Sequence, residues 1–424
     1  MIYVVIDGMG DLPIEELNNR TPLEAAETPH MDFLAKNGKT GLMYSVKEGF
    51  APESDVAVIS ILGYDPFKYS TGRGVFEVIG ADLPMKDGDL ALRCNFATLG
   101  NGGRIIDRRV GRSLTSEEAG ELSRAINDNV ILESSPVSFD FKSTTGHRAA
   151  LVIRSDGKKY LSSKITNMDP AYSRLEELGM AKTEVEMVIR KCQPMDETEE
   201  AKISARLVNE FFDKSHEILE RHEINRNRSA KRKLEANIVL TRDAGHLLPK
   251  FFNINGKYGL KFISLTDMPV ERGISKLSGM EMVDLPPPSE NLRRDSEIRV
   301  DKLLEVLPFY DCFYIHIKGP DEPGHDGNFE LKARLISIID NYFLGKLLDK
   351  IDLEKTIICV TSDHSTPCKI KTHSDDPVPV VISGNKIHGD GVGEFSEKTC
   401  RKGSLGVLER GTKLMSELIS YLKT

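Results

Sequence analysis

Three short segments carry acids and imidazoles directly after apolar runs. Asp7 ends the run Ile2 to Ile6. Asp321 and His325, spaced D-x-x-x-H, follow the run Phe313 to Ile317. Asp363 and His364 follow Thr356 to Val360, with His373 in the next loop. Apolar runs of this length read as buried, parallel strands. Open α/β sheets bind ligands at the carboxyl ends of their strands. Residues far apart in sequence therefore converge on one sheet edge. Three carboxylates and three imidazoles suit two borderline divalent ions such as Mn²⁺ or Zn²⁺. A pair of such ions clamps the attacking and leaving oxygens of an in-line phosphoryl displacement.

That chemistry needs a nucleophile. Ser54, in APESDVAVIS, precedes an apolar helical stretch from Val56 to Leu62. The plain reading of a serine there is an N-cap. The same position offers helix N–H groups to a phosphate, and a metal would lower its hydroxyl pKa. Singly, each residue also fits an ordinary turn. Their joint placement after apolar strands is what points to a site.

The elements that must position them form an α/β pattern. Strands are expected at 2–6, 39–46, 237–240, 260–265, 313–317, 356–360 and 378–382. Helices are expected at 25–37, 56–62, 270–277, 329–348 and 405–422. Alternation of this kind predicts a parallel sheet with helices on both faces. The middle of the chain differs. Thr115 to Glu118 fits a capping box for a helix through Ala125, and 148–154 reads as a strand. The stretch 197–222 is a charged helix with an apolar stripe of Ile203, Leu207, Phe211 and Ile218. The basic run Arg226 to Lys233 reads as a solvated connector. The organisation expected is a split domain, 1–82 and 234–424, interrupted by an inserted α+β domain over 83–233.

Bulk properties narrow the function class. With 424 residues, two domains are the default. A net charge of -8 favours neither nucleic acid nor an anionic membrane as partner, so an anionic substrate must be gripped by a local basic cluster. The six cysteines are scattered, arguing against zinc ribbons and disulfide frameworks. Several lie in apolar runs, as buried thiols do. No signal peptide and no apolar run of about 18 residues is present, so a cytoplasmic protein is expected.

Several stretches resemble one family. PESDVAVISILGYDP (52–66), TGRGVFEVIGADLP (71–84), LRCNFATL (92–99), DRRVGRSL (107–114) and IHIKGPDEPGHDG (315–327) are similar to the archaeal-type 2,3-bisphosphoglycerate-independent phosphoglycerate mutases. That family lies in the alkaline-phosphatase superfamily. The resemblance implies an alkaline-phosphatase-like core with an inserted substrate-binding or lid domain. It implies 3-phosphoglycerate and 2-phosphoglycerate as substrate and product, with Ser54 transiently phosphorylated and no 2,3-bisphosphoglycerate. One ion is then held by Asp7, Ser54, Asp363 and His364, the other by Asp321, His325 and His373. Mn²⁺ is expected first, with Mg²⁺, Zn²⁺ or Co²⁺ as alternatives. Lys318 is expected beside the phosphoserine. Arg108, Arg112, Arg148 and Arg242 are candidates for the substrate's anionic groups, with Asn95, Asp107 and His147 as further contacts. The alternative is a metal-dependent phosphohydrolase or phosphomutase on another small phosphate ester, because fold and ligands do not select the substrate.

Overall fold

A computed structural model describes the chain except residues 156, 158–159, 176–177, 182–184, 290 and 424, and describes 174–175 and 178–181 by backbone only. The chain separates into two compact units. One comprises 1–69, 251–267 and 274–424, the other 70–250 and 268–273.

The first unit is built on an eight-stranded sheet. Its strands lie in the order Glu281–Met282, Phe262–Leu265, Cys312–Ile317, Ile2–Ile6, Ile358–Ser362, Val378–Ser383, Gly38–Met43 and Gly406–Leu408. Ile2–Ile6 runs parallel to both of its neighbours and is buried throughout. Side chains alternate between the faces. Ile2, Val4 and Ile6 pack with Leu34 of helix Pro29–Asn37, Leu303 of helix Leu292–Val306 and Ile336 of helix Phe329–Ile339. Tyr3, on the opposite face, donates to the Ile61 carbonyl of helix Ser54–Ile61 at 3.3 Å. Helices thus cover both faces.

Four details depart from the expected pattern. Val378–Ser383 runs antiparallel to both neighbours. The segment joining it to Ile358–Ser362 contains no helix, and a parallel return needs such a crossover. The expected helix 329–348 contains a π turn at Asp340–Gly345. The expected helix 405–422 divides into the strand Gly406–Leu408 and the helix Thr412–Leu422. The strand near 237–240, Ile238–Gly245, pairs with Leu90–Leu99 of the smaller sheet.

The second unit is an antiparallel sheet backed by helices. Leu90–Leu99 pairs with Arg148–Ser155, which pairs with Val137–Ser143; Ile105–Asp107 extends one end. Helices Ser116–Asn129 and Glu199–Glu220 place Leu122, Ile126, Leu207 and Phe211 against Phe96 and Phe141. Thr115 and Glu118 form the expected capping box. The basic run is no solvated connector. It lies largely in helix Glu223–Ala230, and buried Arg228 donates to Leu234 O at 2.8 Å and Glu118 Oε2 at 2.6 Å. A buried guanidinium is tolerated because these acceptors satisfy it. All six cysteines are buried and unpaired. No helix of the described residues is long and apolar enough to cross a membrane.

Candidate active site

Strand register assembles the centre of the first unit. Ile6 is paired with Ile317 on one side and Ser362 on the other. The next residues are Asp7, Lys318 and Asp363, so two acids and an ammonium emerge side by side. Lys318 Nζ lies 3.2 Å from Asp7 Oδ2. Asp363 Oδ1 accepts from the backbone N–H groups of Gly8 and His364, both at 3.0 Å. Gly8 has φ +59°, and a Cβ there would stand 2.7 Å from the Asp321 backbone. Glycine is needed at that point for the loops to meet.

Two groups of metal-type donors result. In the first, His316 Nε2 lies 3.8 Å from Asp7 Oδ1 and 3.6 Å from Asp363 Oδ2. His364 Nε2 lies 3.6 Å and 3.3 Å from the same two oxygens. Both oxygens are buried and accept no hydrogen bond among the described residues. Burial would raise the Asp7 carboxyl, but Lys318, His316 and His364 hold it well below the usual range. Burial and the adjacent Asp7 charge push Asp363 well above that range. Buried, unsatisfied oxygens in a crowded acid pair fit a divalent cation, which would relieve both costs.

In the second group, His325 Nε2 and His373 Nε2 lie 3.5 Å and 3.4 Å from Asp321 Oδ1, and 3.2 Å from each other. His373 Nδ1 faces the Pro52 carbonyl at 2.8 Å, which leaves Nε2 directed inward. The His364 and His373 rings stack with centroids 3.8 Å apart, so the two groups adjoin.

Ser54 faces this junction, its Oγ 3.2 Å from His364 Nε2. It is the first residue of its helix and not the N-cap, which is Glu53 in extended conformation. Its hydroxyl is therefore not spent on capping.

The second unit holds a separate cluster. Arg108 pairs with buried Asp169, and Arg242 stacks on Tyr172 with its Cζ 3.6 Å from the ring centroid. Arg242 also donates to Asp243 Oδ2 at 2.9 Å. Burial, with Arg242 and Arg73 nearby, pulls the Arg93 guanidinium down to about 9 against the pull of Glu77. Burial and the charges of Arg148 and Arg109 lower His147 to about 3, so it is neutral. Asp107 Oδ1 accepts from Arg109 N at 2.7 Å and Gly111 N at 2.9 Å, fixing the loop that carries Arg108 and Arg112. Asn95 Oδ1 is buried and accepts no hydrogen bond among the described residues.

Comparison with known proteins decides the family. A relative from Aeropyrum pernix named 2,3-bisphosphoglycerate-independent phosphoglycerate mutase is 43% identical, over 100% of this chain and 99% of its own. The chain belongs to the 2,3-bisphosphoglycerate-independent phosphoglycerate mutases. The family of that description matches residues 35–225. A Pyrococcus furiosus relative of the same name is 39% identical, over 96% of this chain and 93% of its own. Among solved structures, the cofactor-independent phosphoglycerate mutase of Thermoplasma acidophilum is similar with a TM-score of 0.62 and 31% identity, covering 99% of each chain. A Pyrococcus horikoshii protein matches with a TM-score of 0.78 and 30% identity, covering 100% of this chain and 97% of that one.

The activity is that of an isomerase, the interconversion of 3-phosphoglycerate and 2-phosphoglycerate without 2,3-bisphosphoglycerate, and the substrate is a small molecule. In this phosphoglycerate mutase, Asp7, Ser54, Lys318, Asp321, His325, Asp363, His364 and His373 gather in the first unit. Asn95, Asp107, Arg108, Arg112, His147, Arg148 and Arg242 all lie in the second. Sequence reasoning missed His316, although period-two alternation from Lys318 puts it on the same strand face. It missed Arg93 for the same reason, two residues before Asn95. It also missed Asp169, Tyr172 and Thr366, whose parts depend on distant segments meeting.

Proposed function

We propose that this mutase works through a phosphoserine at Ser54 in a centre of two divalent ions. The observation that carries the reading is the Ser54 hydroxyl, at a helix start, 3.2 Å from His364 Nε2 between two donor groups. Asp7, Ser54, Asp363 and His364 would hold one ion, and Asp321, His325 and His373 the other. Mn²⁺ suits this mix of carboxylate and imidazole, with Zn²⁺, Co²⁺ or Mg²⁺ as alternatives. When bound, the ions supply charge neutralisation at the phosphoryl oxygens and a lowered pKa for the serine hydroxyl.

The chain's own groups do the rest. Ser54 Oγ attacks phosphorus, and its proton passes to the 3-oxygen of the substrate as the P–O3 bond breaks. Glycerate then shifts, its 2-hydroxyl attacks the phosphoserine, and the hydroxyl proton goes to Ser54 Oγ as the Oγ–P bond breaks. Lys318 balances charge on the phosphoryl group. Arg108, Arg112, Arg148 and Arg242, with Asn95, Asp107 and His147, form the region that binds the glycerate and its carboxylate. We propose the second unit as the lid that keeps water from the phosphoserine. The six unpaired cysteines suit a reducing cytoplasm.

Acid quenching of the protein mixed with excess 3-phosphoglycerate, followed by peptide mass spectrometry, tests the reading. Phosphate on the peptide containing Ser54 is expected. Phosphate on another residue alone would refute it.

A further inference from the structure

We infer that the Thr366 hydroxyl is a positioning group that joins the two donor groups and selects which nitrogen of His364 is open to a cation. The inference rests on the two-ion reading above. Thr366 is fully buried. Its Oγ1 lies 2.7 Å from Asp321 Oδ1 and 3.0 Å from His364 Nδ1. Asp321 belongs to one donor group and His364 adjoins the other, so a single hydroxyl touches both.

Hydrogen-bond arithmetic sets the direction. A hydroxyl has one proton to donate, and an ionised carboxylate can only accept. The Thr366 proton therefore goes to Asp321. The hydroxyl oxygen must then accept from His364, and Nδ1 carries the ring proton. His364 Nε2 keeps its lone pair, directed at Ser54 Oγ, 3.2 Å away, with Asp363 Oδ2 at 3.3 Å. That is the form a metal-binding imidazole needs, and the partner of the other nitrogen fixes it.

Thr366 is itself held from several sides. Its N–H donates to Gly10 O at 3.0 Å. Its carbonyl accepts from Lys332 Nζ at 2.9 Å, and the same ammonium donates to Gly10 O at 2.9 Å and Asp11 Oδ2 at 2.8 Å. A Cβ on Gly324 would stand 2.5 Å from the Thr366 carbonyl oxygen, so glycine lets helix Asp321–Asp326 approach. The hydroxyl has a fixed place from which to orient both ligands.

Two substitutions separate this role from packing. Thr366→Val keeps the shape and loses the hydroxyl; Thr366→Ser keeps the hydroxyl and loses the methyl. Chelator-stripped protein is titrated with Mn²⁺ by calorimetry, and turnover of 3-phosphoglycerate is measured alongside. Wild type should bind two ions. Thr366→Val should weaken both by about 10–100-fold and lower kcat comparably, while the Ser variant stays within about threefold of wild type in Mn²⁺ affinity. A Val variant equal to wild type overturns the inference, as does a folded Ser variant that loses tenfold or more. Wild type that binds no Mn²⁺ overturns the two-ion reading and this inference with it. If the Val variant does not fold, the Ser variant decides by the same limits.

Discussion

Ser54 Oγ and His364 Nε2 stand 3.2 Å apart although 310 positions separate them in the chain. The helix begun by Ser54 packs on one face of the sheet, and His364 extends a central strand past its end. The contact is made by the fold as a whole, and the proposed chemistry depends on it.

Removing the hydroxyl should stop turnover and spare the fold. Ser54→Ala is expected to lower kcat by at least about 10³-fold, as loss of a nucleophile does. Its denaturation midpoint should match wild type, because Ser54 is not the cap of its helix. Turnover above a few per cent of wild type would remove Ser54 from the role.

Lys332 should be a stability residue. Its ammonium is fully buried and paired with buried Asp11. Lys332→Met removes the counter-charge of that buried carboxylate and one donor each to the Gly10 and Thr366 carbonyls, and should cost about 3–5 kcal/mol in urea unfolding. A loss below about 1 kcal/mol would mean the network relaxes or admits water.

Glu397 predicts a pH effect on stability. Burial raises its carboxyl from 4.5 to about 7, against hydrogen bonds from Thr21 and the Asp11 N–H. The folded chain therefore holds this proton more tightly than the unfolded chain. The associated stability is fully present below about 4.5 and is lost as pH rises through about 7. At pH 8 the loss is at most about 3 kcal/mol. Glu397→Gln cannot ionise, so its Tm relative to wild type should rise between pH 5 and pH 8. A difference constant across that range would contradict the assignment.

Much of the first unit's centre was legible because it follows strand ends. Asp7, Asp321 and Asp363 come after runs whose apolar character is local and visible. Pairing partners were not visible in the same way. Ile238–Gly245 is as apolar at its start as the core strands, yet it joins the smaller sheet, since strand pairing is a tertiary choice. Arg228 sits in a basic run that looks solvated, and only Glu118 and Ser113, far away in sequence, show why it is buried. Thr366 looks like an ordinary loop residue. Its contacts come from Asp321, Gly10 and Lys332, which no local pattern links to it.

Substitution of Arg148 should separate binding from chemistry. It is half-buried beside His147 and Arg109 and makes no ion pair with an acid among the described residues. Its guanidinium is thus available to a carboxylate. Arg148→Met should raise KM for 3-phosphoglycerate about 10-fold and leave kcat within about threefold. An unchanged KM would take Arg148 out of the binding region.

The most direct test of the central claim is turnover of 3-phosphoglycerate by chelator-stripped protein, coupled to enolase and without 2,3-bisphosphoglycerate. After the EDTA is removed, the assay is run with no added metal and again with Mn²⁺. The two-ion account predicts negligible activity in the stripped protein and full recovery on adding Mn²⁺. Undiminished turnover by protein verified free of metal would contradict it.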